Sequence, residues 1–110
     1  MATDKDRWFT ALQVAACEGK IHWKQHALTR VLEREISVAS VEKALCNGEM
    51  IEFYPDAHPL PACLVLHENG RPLHVVVAFQ PQRGVCYIIT VYHPDNDRFE
   101  SDWKTRKPND

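Results

Sequence analysis

Four residues apart in a helical stretch, His26 and Arg30 place an imidazole beside a permanent cation on one face. Imidazole is the side chain suited to moving protons near neutrality, and guanidinium holds phosphate or carboxylate oxygens in a fork. Together they could act as a general acid or base next to an anion clamp. Spacing alone favours a plainer reading, a boundary histidine and a solubilising arginine. A second histidine interrupts the apolar run Leu73-His74-Val75-Val76-Val77-Ala78. Burying an unpaired imidazole is costly, so His74 must bond to a neighbouring element or open into a cleft at the sheet rim.

Thr90 and Tyr92 are two apart in an extended segment and share a face. Whether His74 shares that face depends on register. A five-residue connection, Gln80 to Gly84, sets His74 opposite Thr90; a four-residue one sets it opposite Val91. A slip of one residue turns the whole set over, and both registers stay open. His22 and His26 also have helical spacing, but no glutamate follows His22 and no third ligand is identifiable. No metal or other cofactor is expected. The sequence has no phosphate-binding loop, no dinucleotide fingerprint and no nucleophile elbow, so nucleotide-binding and serine-hydrolase readings find no support.

These side chains need a scaffold. At 110 residues the chain fits one domain, 1–110, with a core over about 6–93 and a polar tail over 94–110. Its 45% hydrophobic content suffices for a core without disulfide or metal. Trp8, Phe9, Leu12, Ala15 and Ala16 predict a first helix over Asp6–Glu18, stopped by Gly19. Ala27, Leu28, Val31 and Leu32 form the stripe of a second helix over Lys24–Arg34. Ser37 caps a third over Val38–Cys46, which buries Val38, Val41, Ala44 and Leu45 and closes on Asn47-Gly48 in a left-handed turn.

Beyond Gly48 the period changes to two. Strands are expected over Glu49–Tyr54, Ala62–His67, Leu73–Phe79 and Val85–Tyr92, with a stiff loop at Pro55, Pro59 and Pro61 and a hairpin at Asn69-Gly70. The expected fold is α+β: three N-terminal helices packed on a four-stranded, mainly antiparallel sheet. The tail from Pro94 frays unless Phe99 and Trp103 dock it.

A net charge of −2 and a pI near 6.3 lack the global basicity of most nucleic-acid binders. Locally, Lys20, Lys24, Arg30 and Arg34 meet only Glu33, which makes a basic edge, although such runs are usually solvated helix faces. The four cysteines are irregularly spaced within apolar segments and read as reduced structural thiols of a cytoplasmic protein. Neither a signal peptide nor a membrane-spanning run is evident.

Five segments in order carry a resemblance: His26-Ala27-Leu28-x-Arg30, Glu33-Arg34-x-Ile36-Ser37, Val41-x-x-Ala44-Leu45-x-Asn47-Gly48-Glu49, Arg71-Pro72-Leu73-His74-Val75-Val76-Val77 and Ile89-Thr90-Val91-Tyr92. Over roughly Lys20 to Pro94 the chain resembles the bacterial domain of unknown function 4258. That family is similar in pattern to RelE-like and BrnT-like ribonuclease toxins, with helices on an antiparallel sheet. The resemblance implies functional positions at His26, Arg30 and His74, and further at Arg34, Thr90 and Tyr92. In a toxin–antitoxin RNase, His26 and His74 would transfer protons, Arg30 would hold phosphate, and Tyr92 would stack or donate a proton. Arg34 and Thr90 would contact substrate. An RNA substrate and a cognate antitoxin are the partners this reading implies. The competing reading is a non-enzymatic protein-interaction or small-anion-binding domain. Convergence of His26, Arg30 and His74 in one open cleft would favour catalysis, and side chains separated by the sheet would count heavily against it. Glu35 stands where family members often carry glycine, so the exit of the second helix is expected to differ.

Overall fold

In the computed structural model, which describes residues 3–108, helix α1 (Asp4–Cys17) is followed by β1 (Ile21–Trp23), α2 (Gln25–Glu33) and α3 (Val38–Asn47). Strands β2 (Glu49–Tyr54), β3 (Ala62–Asn69), β4 (Arg71–Gln80) and β5 (Val85–Tyr92) complete it. The α+β division holds. The expected four-stranded sheet is instead a five-stranded mixed one, ordered β1-β5-β4-β3-β2, with β1 parallel to β5. Ile21-His22-Trp23 is too short to display a period, and its pairing partner lies more than sixty residues away.

Three helix ends explain themselves chemically. Thr3 and Asp6 form a reciprocal capping box, so α1 begins before Asp6. Gly19, at φ +79, ends α1 with amide bonds from Gly19 and Lys20 back to Ala16 and Ala15. Ser37 caps α3 by accepting from the Ser40 amide at 3.0 Å. Gly48 departs from expectation, because its φ of −80 is not left-handed. Space explains the glycine: an added Cβ would stand 2.3 Å from the Ala44 carbonyl and 2.5 Å from Val65 Cγ1.

The helices cover one face of the sheet. Leu12, Ala16, Ala27, Val31, Val41 and Leu45 pack against Cys63, Val65, Val75, Val77, Phe79 and Ile88. In α2 only Ala27 and Val31 are buried; Leu28 is exposed and Leu32 is 68% exposed, contrary to the four-residue stripe expected. Val38 is likewise exposed. α2 rests on β5 near the sheet margin, so a single line of its side chains meets the sheet. Two register shifts re-aim strands: Ile51 is the extra residue against β3, and Ile89 the extra residue against β4. All four cysteines are free; Cys63 and Cys86 are buried, whereas Cys17 is exposed. No helix among the described residues is long and apolar enough to cross a membrane.

Candidate functional site

Alternation along β4 sends Val75, Val77 and Phe79 toward the helices and His74 toward the opposite face. The connection to β5 leaves four residues unpaired, and the Ile89 bulge then moves the register by one more. His74 therefore lies opposite Tyr92, and neither pairing expected from loop length occurs. Thr90, opposite Val76, shares the face of His74 and Tyr92.

His74 is fully buried on that face. Its Nε2 lies 2.8 Å from the Trp103 carbonyl oxygen, which can only accept, so Nε2 carries the proton. Nδ1 then accepts from the Tyr92 hydroxyl at 3.3 Å. Phe99 meets the imidazole edge-on at 4.6 Å between centroids, itself 2% exposed. Burial lowers the His74 pKa below its ordinary 6.5, and the bond to Trp103 opposes that shift. The ring is thus neutral, with both nitrogens satisfied. It pegs the C-terminal segment onto the sheet.

A second attachment lies on the same face. Glu52 of β2 accepts from Arg106 Nε and Nη2 at 2.6 and 2.9 Å, and from the Tyr54 hydroxyl. The Arg106 hydrogen bond holds the Glu52 carboxyl below the usual carboxylate range. Burial, with Glu52 beside it, pushes the Tyr54 hydroxyl up to about 12. Arg106 also lies 4.9 Å from the centre of the Phe99 ring. The tail over 94–108 is folded onto the sheet by these contacts.

Where this segment meets the ends of α2, β4 and β5, a cleft of about 600 Å³ opens. Arg34, Arg71, Arg98 and Arg106 line it with His93, and Asp95 is its only acidic lining residue among the described ones. The Asp95 carboxylate already accepts from the backbone amides of Asp97 and Arg98, at 3.0 and 3.2 Å. Arg34 donates to the Val91 carbonyl, beyond the point where β1 stops pairing with β5. Arg71 and Arg98 form no ion pair with a described residue. His93 Nδ1 lies 2.8 Å from the Pro72 carbonyl, so Nδ1 carries hydrogen and neutral His93 has a free acceptor at Nε2. Tyr92 lines the same cleft.

Of the residues singled out in the sequence, the structure brings Arg34 and Tyr92 to this cleft and joins Tyr92 to His74. It does not bring His26 and Arg30 there. Both are exposed beside Gln25 and Thr29 in a separate hollow on α2, with the sheet between that helix and the face of His74. His22 lies in β1, its ring 5.5 Å from that of Tyr87. Among the described residues no group of three or more His, Cys, Asp or Glu is placed to hold a metal ion. Arg71, His93, Arg98 and Arg106 escaped sequence reasoning. Arg71 opens the quoted segment Arg71–Val77 without having been singled out, and His93 directly follows the segment Ile89–Tyr92. Arg98 and Arg106 belong to a tail whose docking was hinted at only by Phe99 and Trp103.

Comparison with protein families matches residues 23–93 to the Domain of unknown function (DUF4258). The match runs from the end of β1 to His93 and takes in α2, α3 and four strands of the sheet. Comparison with curated proteins and with solved structures finds no match. With α2, α3 and strands β2 to β5 inside the matched segment, this chain belongs to the DUF4258 family.

Proposed function

We propose that the cleft binds the phosphodiester backbone of an RNA strand and that the protein cleaves it without a metal ion. The carrying observation is that four arginines and His93 line one cleft, two of them, Arg71 and Arg98, without an ion pair to a described residue, in a chain of net charge −2. Such a local excess of cations draws in a phosphate, and guanidinium forks match its oxygens. Arg71 and Arg98 are the free clamps. Arg34 and Arg106 shape the wall while bonded to Val91 and Glu52.

The reaction needs no group beyond those at hand. His93, held through Nδ1 by the Pro72 carbonyl, takes the ribose 2′-hydroxyl proton on Nε2. The 2′-oxygen attacks the adjacent phosphorus, a 2′,3′-cyclic phosphate forms, and the bond to the 5′-oxygen breaks. Water supplies the proton to that leaving oxygen, and the arginines stabilise charge on the non-bridging oxygens. Tyr92 offers its ring for stacking, because its hydroxyl proton is directed to His74.

The test incubates purified protein with RNA in excess chelator and analyses the product ends. Cyclic phosphate ends are expected, with His93→Gln cleaving about 100-fold more slowly while still binding RNA. Arg98→Ala should weaken binding itself. Intact RNA, with no binding at low salt, would overturn the proposal. A second reading, non-catalytic anion binding, is favoured by the internal commitment of His74 and Tyr92 to each other. It predicts the same binding with no cleavage.

A further inference from the structure

The arginine cleft does not end at His93. A second cavity of about 340 Å³ adjoins it, and Arg71 and His93 line both. The far walls differ in chemistry. The first cavity is dominated by arginine, whereas the second presents Ser40, Lys43, His67 and Asn69 from α3 and the end of β3. Those side chains supply hydrogen-bond donors and acceptors in place of a dense cationic surface. The Ser37 and Ser40 hydroxyls lie 2.7 Å apart, so this wall is already organised.

We infer that the two cavities form one groove for single-stranded RNA, in which a phosphate sits at the Arg71–His93 divide and the neighbouring base enters the second cavity. This rests on the RNA reading of the cleft and specifies its ligand as a backbone phosphate together with an unpaired neighbouring base. The second cavity is at the lower end of the size range of small-ligand pockets, about 300–1,000 Å³, which suits one planar base. A paired, stacked base cannot present its Watson–Crick edge to Asn69 and His67; a splayed one can. Lys43 adds a cation to this cavity, where Glu35 opposes it, so the second cavity holds a neutral base better than a second phosphate.

The test is equilibrium binding of three probes: inorganic phosphate, a short single-stranded 2′-O-methyl RNA that cannot be cleaved, and its duplex. The single strand is expected to bind at least about tenfold more tightly than phosphate, and the duplex to compete poorly. Lys43→Ala combined with Asn69→Ala should weaken strand binding by about tenfold or more and leave phosphate binding unchanged. Both positions are exposed, and circular dichroism verifies the fold. Arg98→Ala should weaken both ligands. Equal binding of duplex and single strand, or a double variant that binds the strand as wild type does, would overturn the two-cavity inference and leave the arginine-cleft reading standing. If wild-type protein binds neither phosphate nor strand, that reading falls, and this one with it.

Discussion

Glu35 shows how one residue can carry a backbone duty without the usual side chain. It sits at φ +58, and the amides of Glu35 and Ile36 return to the carbonyls of Leu32 and Val31. This is the left-handed ending of a Schellman turn, so the expected change in the helix exit does not occur. Buried Ile36 beside buried Val31 fastens the turn and holds a residue that ordinarily disfavours this conformation by about 1–2 kcal/mol. Glu35→Gly is expected to raise stability by about 1 kcal/mol in urea denaturation, less the entropy a glycine loses on folding.

His74 is the second residue whose meaning changed with its neighbours. His74→Gln, too short to hold both the Trp103 carbonyl and the Tyr92 hydroxyl, is expected to destabilise by about 1–3 kcal/mol. Its pH signature has a definite sign. Because the folded-state pKa is below the ordinary 6.5, the unfolded chain binds the proton more readily. Stability is therefore highest above 6.5 and declines as the pH falls from there through the lower folded-state pKa. Denaturation at about pH 7.5 and about pH 5.5 should show that decline in the wild type and a smaller one in His74→Gln. An equal decline in both would assign the dependence to other groups.

At the scale of elements, hydrophobic period and turn chemistry locate helices and strands, while pairing partners set their alignment. The strand range Glu49–Tyr54 was legible from alternation, and Val85–Tyr92 from a short apolar run after a turn. The Ile89 bulge was not, because it consumes a residue without altering the apolar pattern around it. That single residue puts Tyr92, in place of Thr90 or Val91, opposite His74. At Gly48 the end of α3 approaches β3 too closely for a side chain. Gly48→Ala is expected to destabilise by about 1–3 kcal/mol through overpacking, since backbone at Ala44 and Leu66 must yield. Thermal unfolding measures this directly, and an unchanged midpoint would show that the helix end relaxes freely.

At the scale of the molecule, a small negative net charge conceals a strongly uneven distribution. The basic edge expected along α2 gives way to a cationic cleft at the other end of that helix, assembled from α2, β4, β5 and the tail. Arg71 and Arg98 are exposed and form no ion pair with a described residue, so they contribute little to folding. Arg71→Ala with Arg98→Ala is expected to leave stability within about 0.5 kcal/mol of wild type while weakening phosphate binding. A large drop in melting temperature would instead make them structural. The sequence alone determined the α+β class and most element positions, because periodicity, caps and turns are local properties. The tertiary structure alone decided that His26 and His74 lie apart, that a three-residue strand joins the sheet, and that Arg98 and Arg106 belong to a cleft. Each of those outcomes depends on which distant segments share a face, and local pattern carries no record of that.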